Sequence, residues 1–91
     1  MRTENVTLES GATVTLAPLT LEQVDAYIDG ANAGNRTAVY VACMNAANNG
    51  GSTYDLDSFR KSITLPDLRA MQAAMQRVTG LAPEGEEAAA K

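Results

Sequence analysis

The segment from Thr64 to Leu81 carries both a start signal and a stop signal for one helix, and it constrains the fold more than any other part of the chain. Thr64 is a candidate N-cap, because its hydroxyl oxygen can accept a hydrogen bond from a first-turn amide and Asp67, three residues later, can return the bond. Gly80 can adopt the left-handed conformation that ends a helix, and Leu81 can then fold back over the last turn. We therefore predict a helix between these ends, and we expect the rest of the chain to cover its apolar side.

One face of this predicted helix is apolar. Leu68, Met71, Met75 and Val78 repeat with helical spacing and would lie on a narrow stripe. Because methionine side chains are flexible, such a stripe can fill a core or form an adaptable docking surface for another protein. A chain of this length can spare few apolar residues for a surface, which favours the core.

Two alanines one turn apart, Ala70 and Ala74, lie beside this stripe and form a smooth strip that a second helix could approach closely. That helix could belong to the same chain or to another subunit. A tyrosine on an earlier predicted helix could pack its ring beside apolar residues and keep its hydroxyl in water. The candidate protein-binding residues are therefore Leu68, Met71, Met75, Val78, Ala70, Ala74 and Tyr40.

Length and composition indicate one small globular domain. The chain has 91 residues, of which 45% are hydrophobic and 20% are charged, and a domain of this size buries only about 60–65% of its unfolded surface. A partner or a second copy would help to complete so modest a core. The formal net charge of -4 would repel phosphate backbones, so we do not expect nucleic-acid binding.

The residue types needed for catalysis and metal binding are scarce. The chain has no histidine and one cysteine, Cys43, so it lacks the commonest general base and metal ligand and cannot form an internal disulfide. Asp55 and Asp57 resemble the start of a calcium loop, but Arg60 and Pro66 occupy the required Gly and Glu positions. We therefore expect no cofactor, no metal and no enzymatic activity.

Targeting signals are not apparent. The N-terminal residues lack the apolar run of a signal peptide, and no stretch of about 18 apolar residues occurs that could span a membrane. Together with the single cysteine, these features predict a protein of a reducing cytoplasm that neither spans nor binds a membrane.

Alternating residues near the N-terminus predict a β-hairpin. Val6 and Leu8, then Val14 and Leu16, alternate with polar residues on either side of a Ser-Gly-Ala turn. A two-stranded hairpin is marginally stable alone, so its apolar face should lie on helices or join the sheet of a partner. Pairing through a strand edge is therefore one possible route to a homo-oligomer.

Three further helices are indicated by their capping residues. Thr20 begins a capping box, and the helix after it carries Leu21, Val24 and Ile28 on one face and is expected to end at Gly30. Asn35 can cap a second helix over residues 36 to about 48. Asp55 can cap a short third helix in which Phe59 anchors the core.

The predicted fold class is therefore α+β and mainly α, with an N-terminal β-hairpin followed by three to four short helices. Residues 1–81 are expected to form a single small globular domain. Residues 82–91, which contain three glutamates and four alanines but no large apolar side chain, are expected to form an acidic, Ala-rich disordered tail.

The order of these elements and their short sequence segments resemble those of the tail assembly chaperones of long-tailed bacteriophages. The resemblance covers about residues 4 to 81 and rests on the hairpin Val-Thr-Leu-Glu-Ser-Gly-Ala-Thr-Val-Thr-Leu, the Thr-Leu-Glu-Gln helix start, an Ala-rich helix, and a Leu-Pro-Asp-Leu helix that closes on Thr-Gly-Leu. It implies a non-enzymatic helper in the host cell cytoplasm that binds the tape measure protein and recruits tail tube subunits during tail morphogenesis.

The resemblance also implies a longer form of the protein, and one alternative function stands beside it. Many such phages make a longer form of the protein by ribosomal frameshifting, and the segment from Glu84 to Lys91 would lie where that extension joins. The alternative to a chaperone is a structural or minor tail subunit that uses its hairpin edge for sheet addition and remains in the virion.

Overall fold

The computed structural model describes residues 2–81, which fold into a β-hairpin followed by four helices. The α+β, mainly α class expected from the sequence is therefore confirmed. The expected tail at residues 82–91 lies outside the described residues. The elements are β1 (Glu4–Thr7), β2 (Thr13–Leu16), α1 (Leu21–Asn32), α2 (Arg36–Asn49), α3 (Leu56–Ser62) and α4 (Leu65–Thr79).

The hairpin pairs antiparallel with Val6 opposite Val14 and Thr7 opposite Thr13. Because side chains alternate between the two faces of a strand, Val6, Val14 and Leu16 point together into the core and are buried. The apolar face of the hairpin thus packs on helices, which is one of the two alternatives that we predicted from the sequence.

Helix α4 contributes several of the most deeply buried side chains. Met71 and Met75 are completely buried, and Val78 is 6% exposed. Gly80 ends the helix in the left-handed conformation with φ 86°, and the Leu81 N–H donates to the Gln76 carbonyl at 2.8 Å, as the stop signal predicted. The methionine stripe is therefore core.

Helix α2 packs closely because the residues on its buried side are small. Ala42, Cys43, Ala46 and Ala47 have at most 1% exposure, and α2 contacts α1, α3, α4 and β2. The Ala17 N–H donates to the Ala46 carbonyl at 3.0 Å, which ties the end of the hairpin to this helix.

The prediction for α1 was wrong in two respects. The helix continues past Gly30 to Asn32, because Gly30 serves a close approach between helices: a Cβ at this position would overlap the Cβ of Ala38 on α2. The buried anchor is Tyr27, at 7% exposure, whereas Leu21 is 83% exposed and Ile28 is 41% exposed.

No helix within residues 2–81 is long and apolar enough to cross a bilayer.

Candidate protein-binding groove

An open groove of about 240 Å³ lies where α2 meets the turn between α3 and α4. Its lining is about equally polar and apolar and includes one guanidinium group. The lining residues are Tyr40, Phe59, Arg60, Ile63, Thr64, Leu65 and Leu68.

Local capping places α3 at the floor of this groove. Asp55 begins α3 with a capping box, in which its Oδ1 accepts from the Ser58 N–H at 2.7 Å and the Ser58 hydroxyl accepts from the Asp55 N–H at 3.1 Å. Phe59, one turn further on, is 1% exposed and meets the ring of Tyr54 edge-on, with centroids 5.5 Å apart. The groove therefore has a rigid aromatic base.

The turn between α3 and α4 supplies the rest of the wall. Ile63 is extended, with φ -100° and ψ 124°, and Thr64 is the N-cap of α4. Leu65 is then the first residue of α4 and is 58% exposed, while Leu68, one turn later, is half-buried against the core. A single exposed leucine is ordinary on a protein surface, but this one continues an apolar strip formed by Ile63 and Leu68.

The start of α4 differs from the predicted capping box. The Thr64 hydroxyl accepts from the Asp67 N–H at 3.4 Å, but the Asp67 carboxylate does not return the bond within the helix. It accepts instead from the N–H of Glu9 in the hairpin at 2.9 Å, and the Thr64 hydroxyl donates to the Glu9 carboxylate at 2.7 Å. These bonds fix the groove end of α4 to the hairpin.

The candidate protein-binding residues separate into three environments. Tyr40 and Leu68 are brought together in the groove. Ala70 is exposed outside it. Four candidates are buried in the core and present no surface while the fold is intact: Met71, Ala74, Met75 and Val78.

Five groove residues were missed as binding candidates, namely Arg60, Thr64 and three apolar residues. Leu65 had one usable signal, since a leucine in the first turn beside a proline does not belong to the core stripe of its helix. Phe59 was expected in the core, where it lies, and it also forms the base of the groove. Ile63 belongs to the turn that connects two short helices, and no pattern marked that position as a wall.

A second cavity, of about 190 Å³, lies between α1 and α2, and its lining surface is mostly apolar. The Tyr27 hydroxyl beside it accepts hydrogen bonds from the side-chain amides of Gln72 and Gln76, at 3.1 and 3.0 Å. These bonds connect α1 to α4. Since this polar group is satisfied by the fold itself, the cavity is best explained as a packing feature.

Within the described residues we find neither a metal-ligand cluster, meaning three or more His, Cys, Asp or Glu side chains that could hold an ion, nor an unpaired buried polar side chain. Burial raises the pKa of the Cys43 thiol to about 12, so the reactive thiolate is scarce at neutral pH.

Comparisons with protein-family models, with curated proteins and with solved structures found no match to this chain.

Proposed function

We propose that this protein is a non-enzymatic phage tail assembly chaperone, which binds the tape measure protein through the groove between α2 and the α3–α4 turn and helps to recruit tail tube subunits in the host cytoplasm. The observation that supports client binding most directly is the exposed Leu65 between the half-buried side chains of Ile63 and Leu68. The order of hairpin and helices on which the resemblance rests is also the order of elements in the fold.

Helix-in-groove recognition is the binding mode that suits this site. A client helix that carries apolar residues three or four positions apart can place them against a groove of this size. Burying one leucine completely contributes roughly 1.5–3 kcal/mol, so a single groove holds its client weakly. Weak and reversible contacts suit a helper that must leave, and copies that associate with one another along one long helix would gain avidity.

Arg60 gives the groove a preference for a negatively charged group at one position. It lies at the groove and is exposed, on a chain whose net charge is -4. A cation beside an apolar strip favours an acidic client residue, or the negative end of a client helix. We therefore expect the client segment to combine an apolar stripe with at least one acidic residue next to it.

Co-expression with the tape measure protein tests the proposal, with Leu65→Glu as the disabling variant and Leu21→Glu as its matched control. Both leucines are exposed and each is the first residue of its helix, where a carboxylate is favoured by the helix dipole. Only Leu65 lines the groove.

We expect the wild type and Leu21→Glu to keep the tape measure protein soluble, and Leu65→Glu to lose most of this effect. The proposal is wrong if the tape measure protein is equally soluble without this chain, or if Leu65→Glu protects it as well as the wild type does. Mass spectrometry of purified virions distinguishes the alternative, because a structural subunit would be present at a defined copy number and an assembly helper would be absent.

A further inference from the structure

The two edges of the hairpin differ in how they are covered. Along β2, the Ala17 N–H donates to the Ala46 carbonyl of α2 at 3.0 Å, and Gly50 lies directly against the Thr15 carbonyl. Strand β1 contacts only β2 and α4 among the elements of residues 2–81. The β2 edge is therefore closed by α2, while the β1 edge is not closed in this way.

Strand pairing shows which groups β1 presents at its outer edge. The Leu8 N–H donates to the Ala12 carbonyl at 2.8 Å, so Leu8 is a hydrogen-bonded pair position, and the alternation of an antiparallel ladder makes Val6 another. Asn5 and Thr7 occupy the alternate, non-hydrogen-bonded positions, so they direct their backbone N–H and C=O groups away from β2. Both residues are exposed, and no hydrogen bond joins their backbone groups to another element within residues 2–81.

This open edge is short. Beyond Thr7, the outward N–H of Glu9 is already bound to the Asp67 carboxylate at 2.9 Å. Asn5 and Thr7 are therefore the only two positions in this part of β1 where both backbone groups can pair, so the edge admits only a short strand. Such a strand must itself offer free backbone groups, which a helical client cannot do because its own helix uses them.

A second β1 strand fits this edge in antiparallel orientation. With Asn5 of one copy opposite Thr7 of the other, each pair exchanges two hydrogen bonds. The two-fold axis then passes between the Val6 residues of the two copies. This register sets Glu4 opposite Leu8 and Glu9 opposite Thr3, so no like charges face each other.

Helix α4 is the element beside β1 that such a neighbour would meet. It runs alongside β1, with Asp67 bound to the Glu9 N–H at one end and Arg77 bound to the Glu4 carboxylate at the other. Between them, at helical spacing, lie Ala70 and Ala74. Ala74 is buried under the chain itself, whereas Ala70 is exposed and presents only a methyl group to an approaching subunit.

From these observations we infer that β1 is the interface of a symmetric homodimer, in which the Asn5 to Thr7 edges of two copies join into one four-stranded antiparallel sheet. The smooth surface at Ala70 accommodates the second copy. This inference does not depend on the proposed function, because none of these residues lines the groove.

Sedimentation velocity of the full chain over a range of concentrations tests the inference, with Thr7→Pro compared with Thr7→Ala. Proline removes the outward N–H of Thr7 but no ladder bond, since that N–H does not face β2. Alanine keeps the N–H. We expect the wild type and Thr7→Ala to dimerise, and Thr7→Pro to raise the dissociation constant roughly tenfold or more, because each symmetric dimer loses two backbone hydrogen bonds.

A second pair of variants decides the matter if Thr7→Pro does not fold, as judged by circular dichroism. Ala70→Glu places a charge on the approach surface beside β1, and Ala31→Glu places the same charge on exposed helix α1, which does not contact β1. A weakened dimer for Ala70→Glu alone supports the interface. A wild type that stays monomeric at every concentration overturns it, as does a folded Thr7→Pro or Ala70→Glu variant that dimerises like the wild type.

Discussion

The carboxylate of Asp67, at the start of α4, accepts a hydrogen bond from the backbone N–H of Glu9, 58 positions away in the sequence, at 2.9 Å. Asp67 is only 5% exposed, although Glu9 is exposed, so this bond is partly shielded from water. It closes the end of the β1 edge and fixes the first turn of α4, which carries the exposed leucine of the groove.

Removing this carboxylate should destabilise the fold. Asp67→Ala leaves the Glu9 N–H without its partner, and we expect the free energy of unfolding to fall by roughly 1–3 kcal/mol. Asp57→Ala is the matched control, because its ion pair with Lys61 is exposed and should contribute about 0.3–0.5 kcal/mol. Urea denaturation measures both values, and equal losses would contradict the role assigned to Asp67.

A second tie between α4 and the hairpin should make stability depend on pH. Arg77 donates to both oxygens of the Glu4 carboxylate, from Nε at 2.9 Å and from Nη2 at 2.7 Å. The hydrogen bond from Arg77 lowers the pKa of Glu4 from its ordinary 4.5, burial opposes the shift, and the charges of Arg77 and Arg2 add to it.

A lowered folded-state pKa means that the ionised pair stabilises the fold fully above the ordinary value and less as pH falls through the folded value. The stability difference between the wild type and Glu4→Gln should therefore be constant at neutral pH and shrink below pH 4.5. Urea denaturation across this range measures it. A difference that does not change with pH would show that the Glu4–Arg77 ion pair does not contribute to the free energy of unfolding.

Burial of Cys43 should make its thiol unreactive in the native state. Because burial raises the pKa of Cys43 to about 12, a thiol reagent at mildly alkaline pH should modify the native protein far more slowly than the urea-unfolded protein. The native rate then reports how often the core opens. Equal rates in both states would contradict the packing of α2.

Much of the fold could be predicted from local signals. The helix ends depend on contacts within one helical turn, so a pattern of a few residues is enough to predict them. They are the caps at Thr20, Asn35, Asp55 and Thr64 and the stop at Gly80. The alternation in the hairpin is equally local. The side chain of Asp67 was misassigned because its partner in the hairpin is distant in sequence.

The groove could not be derived in the same way. It is built by one residue of α2, two of α3 and the start of α4, and no sequence period connects those positions. The reading of α1 failed for a related reason. Gly30 is normally a helix stop, but here the approach of Ala38 on α2 decides its role.

That account of Gly30 predicts opposite effects of one substitution in two backgrounds. In the wild type, Gly30→Ala should destabilise the fold, because the new Cβ overlaps Ala38. In an Ala38→Gly background the overlap is gone, and the same substitution should stabilise by up to about 1 kcal/mol through helix propensity. Thermal unfolding of the four proteins measures the cycle, and the same sign in both backgrounds would contradict close packing of α1 on α2.

Amide hydrogen exchange of the full chain, with and without the tape measure protein, tests most directly whether the groove binds a client. We expect slower exchange on client addition around Tyr40 and from Phe59 to Leu68, and unchanged exchange in α1, which lies outside the groove. Protection confined to α1 or to the hairpin, or no protection at all, would contradict the assignment of the groove as the client site.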